Sequence, residues 1–153
     1  MSGPGIASPV TLRKVTPGNF EAVIGLAVSP EQEDAVSSNL ESLAEAYVHD
    51  GLAWVRAVYA DETPVGFVML DIDTVSHSYG VWRFMIDARF QKLGFGGRAM
   101  DLVIEHVKTL PGAEAITLSC VPGENGPGGF YERIGFTATG EMDDDEAVMR
   151  MML

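Results

Sequence analysis

Three glycines, Gly94, Gly96 and Gly97, lie between a strand-like stretch and a helix-like stretch and have the arrangement of an anion-binding loop. Over residues 81–87 large apolar residues alternate with other types, which is the two-residue period of a strand. Over residues 99–110 apolar residues recur at three- and four-residue steps, which predicts a helix that begins near Gly96. The first amide N–H groups of a helix lack partners and attract anions, and glycine lets an anion approach the backbone closely. The spacing therefore predicts a site for a phosphate group.

The two common nucleotide motifs do not fit this loop. The Walker motif needs Lys-Ser or Lys-Thr directly after its glycines, whereas Lys108-Thr109 lies at the other end of the predicted helix. The dinucleotide motif needs Gly-x-Gly-x-x-Gly, and residues 94–99 match only its first half. The pattern that does fit is Gln-x-x-Gly-x-Gly, formed by Gln91, Gly94 and Gly96.

The same periodicities predict the strands and helices that position this loop. We expect a flexible, Gly/Pro/Ser-rich tail over residues 1–10 and a single domain over residues 11–153. Thr16-Pro17 predicts a helix start, with a hydroxyl cap and proline in the first turn. The patterns predict strands over residues 11–15, 53–60, 65–73, 78–87, 115–121, 136–141 and 147–151, and helices over residues 20–27, 30–49 (in two pieces), 96–110 and 130–134.

The break inside residues 30–49 falls at Ser37-Ser38-Asn39, which can cap a second helix. We expect the buried side of that helix to contain Leu43, Ala44, Ala46, Tyr47 and Val48.

Charge and composition limit the classes of molecule that the protein is expected to bind. The chain has 10 Lys and Arg against 22 Asp and Glu, a net charge of −12, which repels nucleic acid and anionic membranes and attracts cations. Residues 143–146 are all acidic and are interpreted as a solvated turn. The single cysteine, Cys120, allows no internal disulfide and is expected to be a buried, inert thiol. No stretch has the length of a membrane span or the pattern of a signal peptide, so we expect a cytoplasmic protein.

Three segments resemble the GNAT acetyltransferase superfamily, and the resemblance extends over essentially the whole chain. The loop follows Trp-Arg-Phe-Met-Ile-Asp at residues 82–87, and Phe-Tyr-Glu-Arg-Ile-Gly-Phe stands at residues 130–136. The resemblance implies an α/β fold of the GNAT type, in which helices flank both faces of a splayed, mostly antiparallel mixed sheet of six or seven strands. A shorter resemblance, to bacterial spermine/spermidine-type N-acetyltransferases, rests on Pro-Glu-Gln-Glu at residues 30–33 and on Asn39, Ser42, Ala44 and Ala46.

The resemblance assigns acetyl-CoA, the co-substrate, to the strand and the loop. Free backbone groups of the strand hold the pantetheine arm, and one N–H, of Met85 or Ile86, polarises the thioester carbonyl. Main-chain amides of the loop bind the diphosphate, with charge from Arg98 or Lys92. Relatives often have a CoA-binding asparagine where Glu124 stands, so either Asn125 makes this contact from a shifted loop or the contact is absent. The implied CoA-binding residues are Phe84, Met85, Ile86, Gln91, Lys92, Leu93, Gly94, Phe95, Gly96, Gly97, Arg98, Asn125 and Tyr131.

Tyr131 is the general acid that the resemblance implies. In the family a tyrosine on the short helix lies near the CoA sulfur and protonates the thiolate as the tetrahedral intermediate collapses. A phenol, with a reference pKa of about 10, stays protonated at neutral pH and lies only a little above a thiol in pKa. The alternative is a tyrosine packed in the core with its hydroxyl group hydrogen-bonded.

A carboxylate is also required, because a primary amine is protonated at neutral pH and must lose a proton before it attacks a thioester. The candidates for this base, acting directly or through water, are Glu31, Glu33, Asp71, Asp73 and Asp87. The same side chains could instead pair with the ammonium groups of the acceptor, and we assign Glu31, Glu33 and Asp87 to substrate binding. No Cys/His cluster suggests a metal site.

These observations predict an N-acetyltransferase that moves an acetyl group from acetyl-CoA to a small cationic amine, such as spermidine or spermine, by direct attack. One alternative is another acceptor, such as an aminoglycoside-like antibiotic, an amino acid or a peptide amine. A second is a CoA-binding accessory domain without transfer activity. The sequence leaves the oligomeric state open, and a homodimer is among the arrangements we consider.

Overall fold

A seven-stranded sheet with helices on both faces forms the molecule. The computed structural model describes residues 3–35, 37–123 and 126–153, and for residues 33–35 only the backbone. The strands are β1 (Val10–Arg13), β2 (Ala53–Ala60), β3 (Thr63–Asp73), β4 (Ser78–Ile86), β5 (Ala115–Cys120), β6 (Thr137–Asp143) and β7 (Glu146–Met152). The helices are α1 (Phe20–Ile24), α2 (Asn39–Val48), α3 (Phe95–Lys108) and α4 (Gly128–Ile134), with 3₁₀ helices at Pro30–Ala35 and Ala88–Phe90.

The strand order is β1-β2-β3-β4-β5-β7-β6, and every neighbouring pair is antiparallel except β4 and β5, which are parallel. The predicted α/β fold with a mostly antiparallel mixed sheet is therefore confirmed. β4 and β5 pair only at Gly80–Thr117 and Val81–Leu118, and a bulge leaves Trp82 without a partner on β3. Because a bulge bends its strand, β4 leaves β5 at this point and the sheet opens into a wedge.

Two apolar layers hold the helices on the sheet. α3 buries one stripe, which includes Ala99, Val103 and Val107, and its spacing is the three- and four-residue period visible in the sequence. On the opposite face Val23 of α1 and Leu43 of α2 pack against the sheet. Full burial of one such aliphatic side chain contributes about 1.5–3 kcal/mol, so these stripes fix the helices that border the wedge.

The N-terminal half differs from expectation in the N-cap and the end of α1 and in which face of α2 is buried. α1 starts at Phe20 as predicted but ends at Ile24, and Asn19, not Thr16, stands at its N-cap position. The side chain of Asn19 accepts the Thr16 N–H (2.7 Å) in the turn before the helix. Ser38 caps α2 as predicted, accepting the Glu41 N–H. The predicted buried side of α2 is wrong at three positions: Asn39, Ser42, Leu43 and Ala46 face the protein, whereas Ala44, Tyr47 and Val48 are exposed.

The N-terminal tail contacts the domain at Ser8, and the flexible tail expected over residues 1–10 stays a prediction. Ser8 is 9% exposed; its hydroxyl group donates to Asp61 (2.6 Å) and its carbonyl accepts from Arg98 (2.7 Å). The Asp61 N–H also donates to the Pro9 carbonyl (3.0 Å). Among the described residues no helix is long and apolar enough to cross a membrane.

Candidate active site

A cavity of about 1070 Å³ opens where β4 and β5 diverge. Residues of both strands line it, together with the glycine loop, the start of α3, α4, the Pro30–Ala35 helix and the first turn of α2. The wedge thus brings together segments that are separate in sequence. The predicted site residues that line this cavity are Glu31, Phe84, Met85, Ile86, Gln91, Lys92, Gly94, Phe95, Gly96, Gly97 and Tyr131.

The glycine loop owes its shape to two glycines and one strained lysine. Gly94 precedes α3 with a φ of +85°, where a side chain would be unfavourable. A Cβ atom on Gly96 would lie 3.2 Å from the ring of Phe130, so any other residue here would push that ring away by a few tenths of an ångström. Lys92 also has a positive φ, +66°, which is uncommon for a residue with a side chain. The first turn of α3 therefore faces the cavity with its N–H groups at close range.

The side chain of Gln91 ties this loop to the rest of the site. Its amide group donates to the carbonyl of Ile86 at the end of β4 (2.9 Å) and to Oε1 of Gln32 in the Pro30–Ala35 helix (3.0 Å). Both N–H bonds of the amide are thereby used. The side-chain amide of Gln91 is therefore not free to bind an anion in the loop.

Arg98 and Leu93, two of the predicted CoA-binding residues, do not line the cavity. The guanidinium of Arg98 donates to the carbonyl of Ser8 (2.7 Å) and turns back on the carbonyls of Leu93 and Gly94 (3.4 Å each). The side chain of Leu93 packs against the apolar core. Asn125 lies outside the described residues.

The cations that do line the cavity are Lys92, Arg133 and Arg83. Sequence reasoning did not single out Arg133, although it lies two residues after Tyr131 on the same short helix. Arg83 pairs with Glu45 of α2 (3.0 Å), and its buried Nε atom has no hydrogen-bond partner in the described part of the chain. The cavity therefore offers two cations beside the loop segments and one, already paired, on β4.

Asp87 has a structural position and does not reach the cavity. Its carboxylate is buried and accepts hydrogen bonds from the Ala27 N–H (3.0 Å), the Arg89 N–H (2.9 Å) and the Arg89 side chain (2.8 Å). Burial would raise the pKa of Asp87, but these hydrogen bonds from Arg89 and Ala27 lower it below its ordinary value. Asp87 is thus an anchor that joins the end of β4 to the segment after α1.

Two other candidates for the base, Asp71 and Asp73, lie at the far end of the β3–β4 hairpin. They pair with Gly80 and Ser78, at the start of β4, whereas the glycine loop follows its end. Neither lines the cavity. The side chain of Glu33 lies outside the described residues.

Tyr131 lines the cavity with its ring in the core. The residue is 7% exposed, and its ring makes edge contacts with Phe130 (5.1 Å between centroids) and Phe136 (5.8 Å). Its hydroxyl group makes no hydrogen bond within the described part of the chain, so the core-bonded alternative is not what the structure shows. Burial, and then the neighbouring Cys120, raises the pKa of Tyr131 well above its ordinary value. The phenol is consequently protonated at neutral pH.

Cys120 is a buried thiol at the end of β5, as predicted. It lines the same cavity as Tyr131. Burial, and then the carboxylate of Glu146, raises its pKa. A thiol with a raised pKa is a poor nucleophile at neutral pH, which fits the inert role expected for it.

Three carboxylates line the cavity, from three different elements: Glu31 of the Pro30–Ala35 helix, Glu41 of α2 and Glu146 of β7. Glu41 and Glu146 were missed by sequence reasoning, and Glu146 belongs to the acidic run interpreted as a solvated turn. Hydrogen bonds from its own N–H and from the Ser29 hydroxyl lower the pKa of Glu31. None of the three pairs with a cation within the described residues, where ion pairs join other carboxylates.

No group of three His, Cys, Asp or Glu side chains among the described residues is arranged to hold a metal ion. The cavity is suited instead to an extended ligand. Its phosphate would lie on the glycine loop, its chain along the free edge of β4, and its reacting end near Tyr131. Carboxylates in the same cavity suit a cationic second ligand.

Comparison with known proteins finds one matching family model and similar acetyltransferases. The model of the acetyltransferase (GNAT) family matches residues 20–136. The spermine/spermidine N(1)-acetyltransferase of Bacillus subtilis is 29% identical over 150 residues, which cover 92% of this chain and 96% of the relative.

Among solved structures, spermidine N-acetyltransferase from Vibrio cholerae in complex with CoA and spermine has a TM-score of 0.72 and 21% identity, covering 94% of this chain and 95% of that one. The PaiA N-acetyltransferase from Thermoplasma acidophilum in complex with coenzyme A has a TM-score of 0.72 and 17% identity, covering 95% and 99%. At sequence identities of 21% and 17%, these two structures are evidence for the fold alone.

Proposed function

We propose, since this chain belongs to the acetyltransferase (GNAT) family, that it moves an acetyl group from acetyl-CoA to a primary amine of a polyamine such as spermidine or spermine. The observation that carries this proposal is the composition of one cavity. It contains a glycine loop suited to a diphosphate, a protonated tyrosine, and three carboxylates without cation partners in the described part of the chain. The curated Bacillus subtilis relative, whose name gives spermine and spermidine as substrates, supports the same acceptor class.

In this proposal acetyl-CoA occupies the wedge beside β4. Main-chain amides of residues 91–97 bind the diphosphate, and Lys92 and Arg133 supply positive charge. The backbone of Phe84, Met85 and Ile86 pairs with the pantetheine arm in place of β5, which has already diverged. An N–H of Met85 or Ile86 then polarises the thioester carbonyl, as in an oxyanion hole.

The reaction is direct attack of the amine nitrogen on the thioester carbonyl carbon. As the tetrahedral intermediate collapses, the carbon–sulfur bond breaks and Tyr131 gives its proton to the departing CoA thiolate. The newly bonded nitrogen loses a proton to become the amide, and this proton, passed through water, restores the phenol. The raised pKa makes the phenol of Tyr131 a weaker acid than a tyrosine with the ordinary pKa of about 10. The cavity also desolvates the thiolate, which raises the basicity of the sulfur, so the pKa values of donor and acceptor shift in the same direction.

The acceptor binds through Glu31, Glu41 and Glu146 in this proposal. A polyamine has several ammonium groups, so carboxylates on separate elements can hold the distal ones while one terminal amine reaches the thioester. The same carboxylates can take up the proton that the reacting ammonium must lose. The net charge of −12 favours the approach of such a cation.

A second acceptor class, amino acids or peptide amines, is favoured by one specific observation. Arg83 lines the cavity, and its buried Nε–H has no hydrogen-bond partner within the described residues, although Glu45 already compensates its charge. An acceptor with a carboxylate or carbonyl oxygen would satisfy this donor. A polyamine offers no such oxygen.

Release of the CoA thiol from acetyl-CoA, measured across spermine, spermidine, amino acids, a dipeptide and an aminoglycoside, tests the proposal. We expect turnover with the polyamines, and we expect Glu146→Gln to raise the KM of spermidine more than that of a monoamine. Thiol release with an amino acid but no polyamine would establish the second class. Binding of CoA without release for any amine would indicate an accessory domain.

We also propose that two copies of the chain associate. Leu40, Tyr47 and Val48 of α2 are exposed apolar residues on the face turned away from the sheet, and a second copy of the chain could cover them. Sedimentation of the protein against Tyr47→Glu would test this: the substitution should shift a dimer towards the monomer. Our expectation of a cytoplasmic enzyme stays a prediction.

A further inference from the structure

The Pro30–Ala35 helix crosses the cavity as a short segment that is fixed mainly at its two ends. Before it, Ala27 is held by the end of β4: its N–H donates to Asp87 (3.0 Å), and its carbonyl accepts from the Ala88 N–H (2.9 Å). After it, α2 is held by the side chain of Asn39, which donates to the carbonyl of Val23 (2.9 Å). The segment between these anchors carries Glu31 into the cavity.

One side-chain hydrogen bond joins the middle of this segment to the donor side. Oε1 of Gln32 accepts from the amide group of Gln91 in the glycine loop (3.0 Å), across 59 residues of sequence. The other N–H of the Gln91 amide is used by the carbonyl of Ile86 (2.9 Å), so the amide bridges the segment and β4. No other side-chain hydrogen bond to the sheet or loop is made by residues 30–32 within the described structure.

We propose that Gln32 is a positioning residue for the amine acceptor, acting by latching the Pro30–Ala35 helix onto the glycine loop through Gln91. Glu31, the adjacent residue, is thereby held at the cavity on the side where the thioester is expected. The groups assigned to the diphosphate, the main chain of the loop with Lys92 and Arg133, take no part in the Gln32–Gln91 hydrogen bond, so the latch leaves donor binding largely unchanged. Its loss lets the segment move and weakens the hold on the acceptor.

This inference rests on the proposed function for its kinetic effect, and the bond itself is tested by a double-mutant cycle. Gln32→Met keeps the size of the side chain and removes the acceptor oxygen, and Gln91→Met removes the donor. A single neutral hydrogen bond predicts a rise in the KM of spermidine of about 2- to 10-fold for Gln32→Met, with kcat and the Kd of CoA within about 2-fold of wild type. In the Gln91→Met background Gln32→Met should have no further effect.

A conservative variant and a structural measurement complete the test. Gln32→Glu retains an oxygen that accepts from Gln91 and should keep the wild-type KM or a lower one. Hydrogen–deuterium exchange of the peptide spanning residues 27–35 should be faster in Gln32→Met, whether or not an amine substrate has been found. If the wild-type protein acetylates no amine, the proposed function fails. The latch is then tested by the hydrogen–deuterium exchange measurement alone.

Three outcomes would overturn the latch. They are a wild-type KM in Gln32→Met, an equal effect of Gln32→Met in both backgrounds, and exchange in residues 27–35 that matches wild type. A rise in the Kd of CoA larger than the rise in the KM of spermidine would also contradict it, because that result would make Gln32 part of the donor site.

Discussion

Tyr131→Phe is the substitution that tests the proposed chemistry most directly. It removes one hydroxyl group and keeps the ring, which packs edge-on against Phe130 and Phe136. The hydroxyl makes no hydrogen bond within the described residues, so no buried partner is left unsatisfied by its removal. We therefore expect the free energy of unfolding to stay the same or to rise by up to about 1 kcal/mol.

The effect on catalysis should be large by comparison. Loss of a general acid commonly lowers turnover by about 10- to 1000-fold, which corresponds to about 1.4–4 kcal/mol of transition-state stabilisation. The Kd of CoA, measured by calorimetry, should change little, because the ring remains in place. Tyr131→Ala is the contrasting variant: it removes the ring from the core, which costs about 3–5 kcal/mol of stability.

The pH dependence of kcat adds an independent test. Burial raises the pKa of Tyr131, so the phenol stays protonated beyond its ordinary pKa of about 10. Wild-type kcat should therefore show no decline from ionisation of this residue up to pH 10. A variant Tyr131→Phe that turns over as fast as wild type, with unchanged stability, would refute the assignment of Tyr131 as the acid.

Four further predictions concern charged groups around the cavity. Arg133→Gln should raise the Kd of CoA by about 10- to 100-fold in calorimetry, the scale of one charge-assisted phosphate contact, whereas Arg98→Gln should leave it within about 2-fold. Equal effects of the two substitutions would contradict the geometry. Arg98→Gln should instead lower the melting temperature, because it releases the carbonyl of Ser8. Lys92→Gly should stabilise the protein by about 1 kcal/mol in urea unfolding, since φ is +66° at this position, and should also weaken CoA binding. Asp87→Asn should cost about 2 kcal/mol at pH 7. Because the folded-state pKa of Asp87 is lowered, that difference is present above the ordinary Asp pKa of about 4 and should vanish as the pH falls through the folded-state value; a pH-independent difference would disprove the charge argument.

Periodicity predicted most of the fold because the elements that build it each bury one face. For this reason the predicted bounds of α3 and of the three strands β2, β3 and β4 lie close to the observed bounds. α2 was harder to predict, because apolar residues occur on both of its sides. The side that packs on the sheet is decided by Asn39, whose amide is buried against the carbonyl of Val23, and a polar residue gives no apolar signal.

The site was predicted where it depends on backbone shape. Gly94 has a positive φ, which favours glycine, and Gly96 allows the close approach of Phe130, so the residue type itself indicates the backbone shape. The resemblance located Tyr131 on the short helix that follows the diverging strand. Glu41 and Glu146 escaped prediction because an acidic residue in a turn or a first helical turn has the same sequence signature whether it faces solvent or a cavity.

The errors at Arg98 and Asp87 have one physical cause. Both residues stand at the junction of a strand or loop with a helix, where backbone N–H and C=O groups lack regular partners. A charged side chain at such a junction is the nearest group that can satisfy them, and here Asp87 accepts the Ala27 and Arg89 N–H groups while Arg98 donates to the carbonyl of Ser8. Position beside a ligand loop therefore does not by itself make a charge available to the ligand. The charged residues that line the cavity and make no ion pair within the described residues are Lys92, Arg133, Glu31, Glu41 and Glu146.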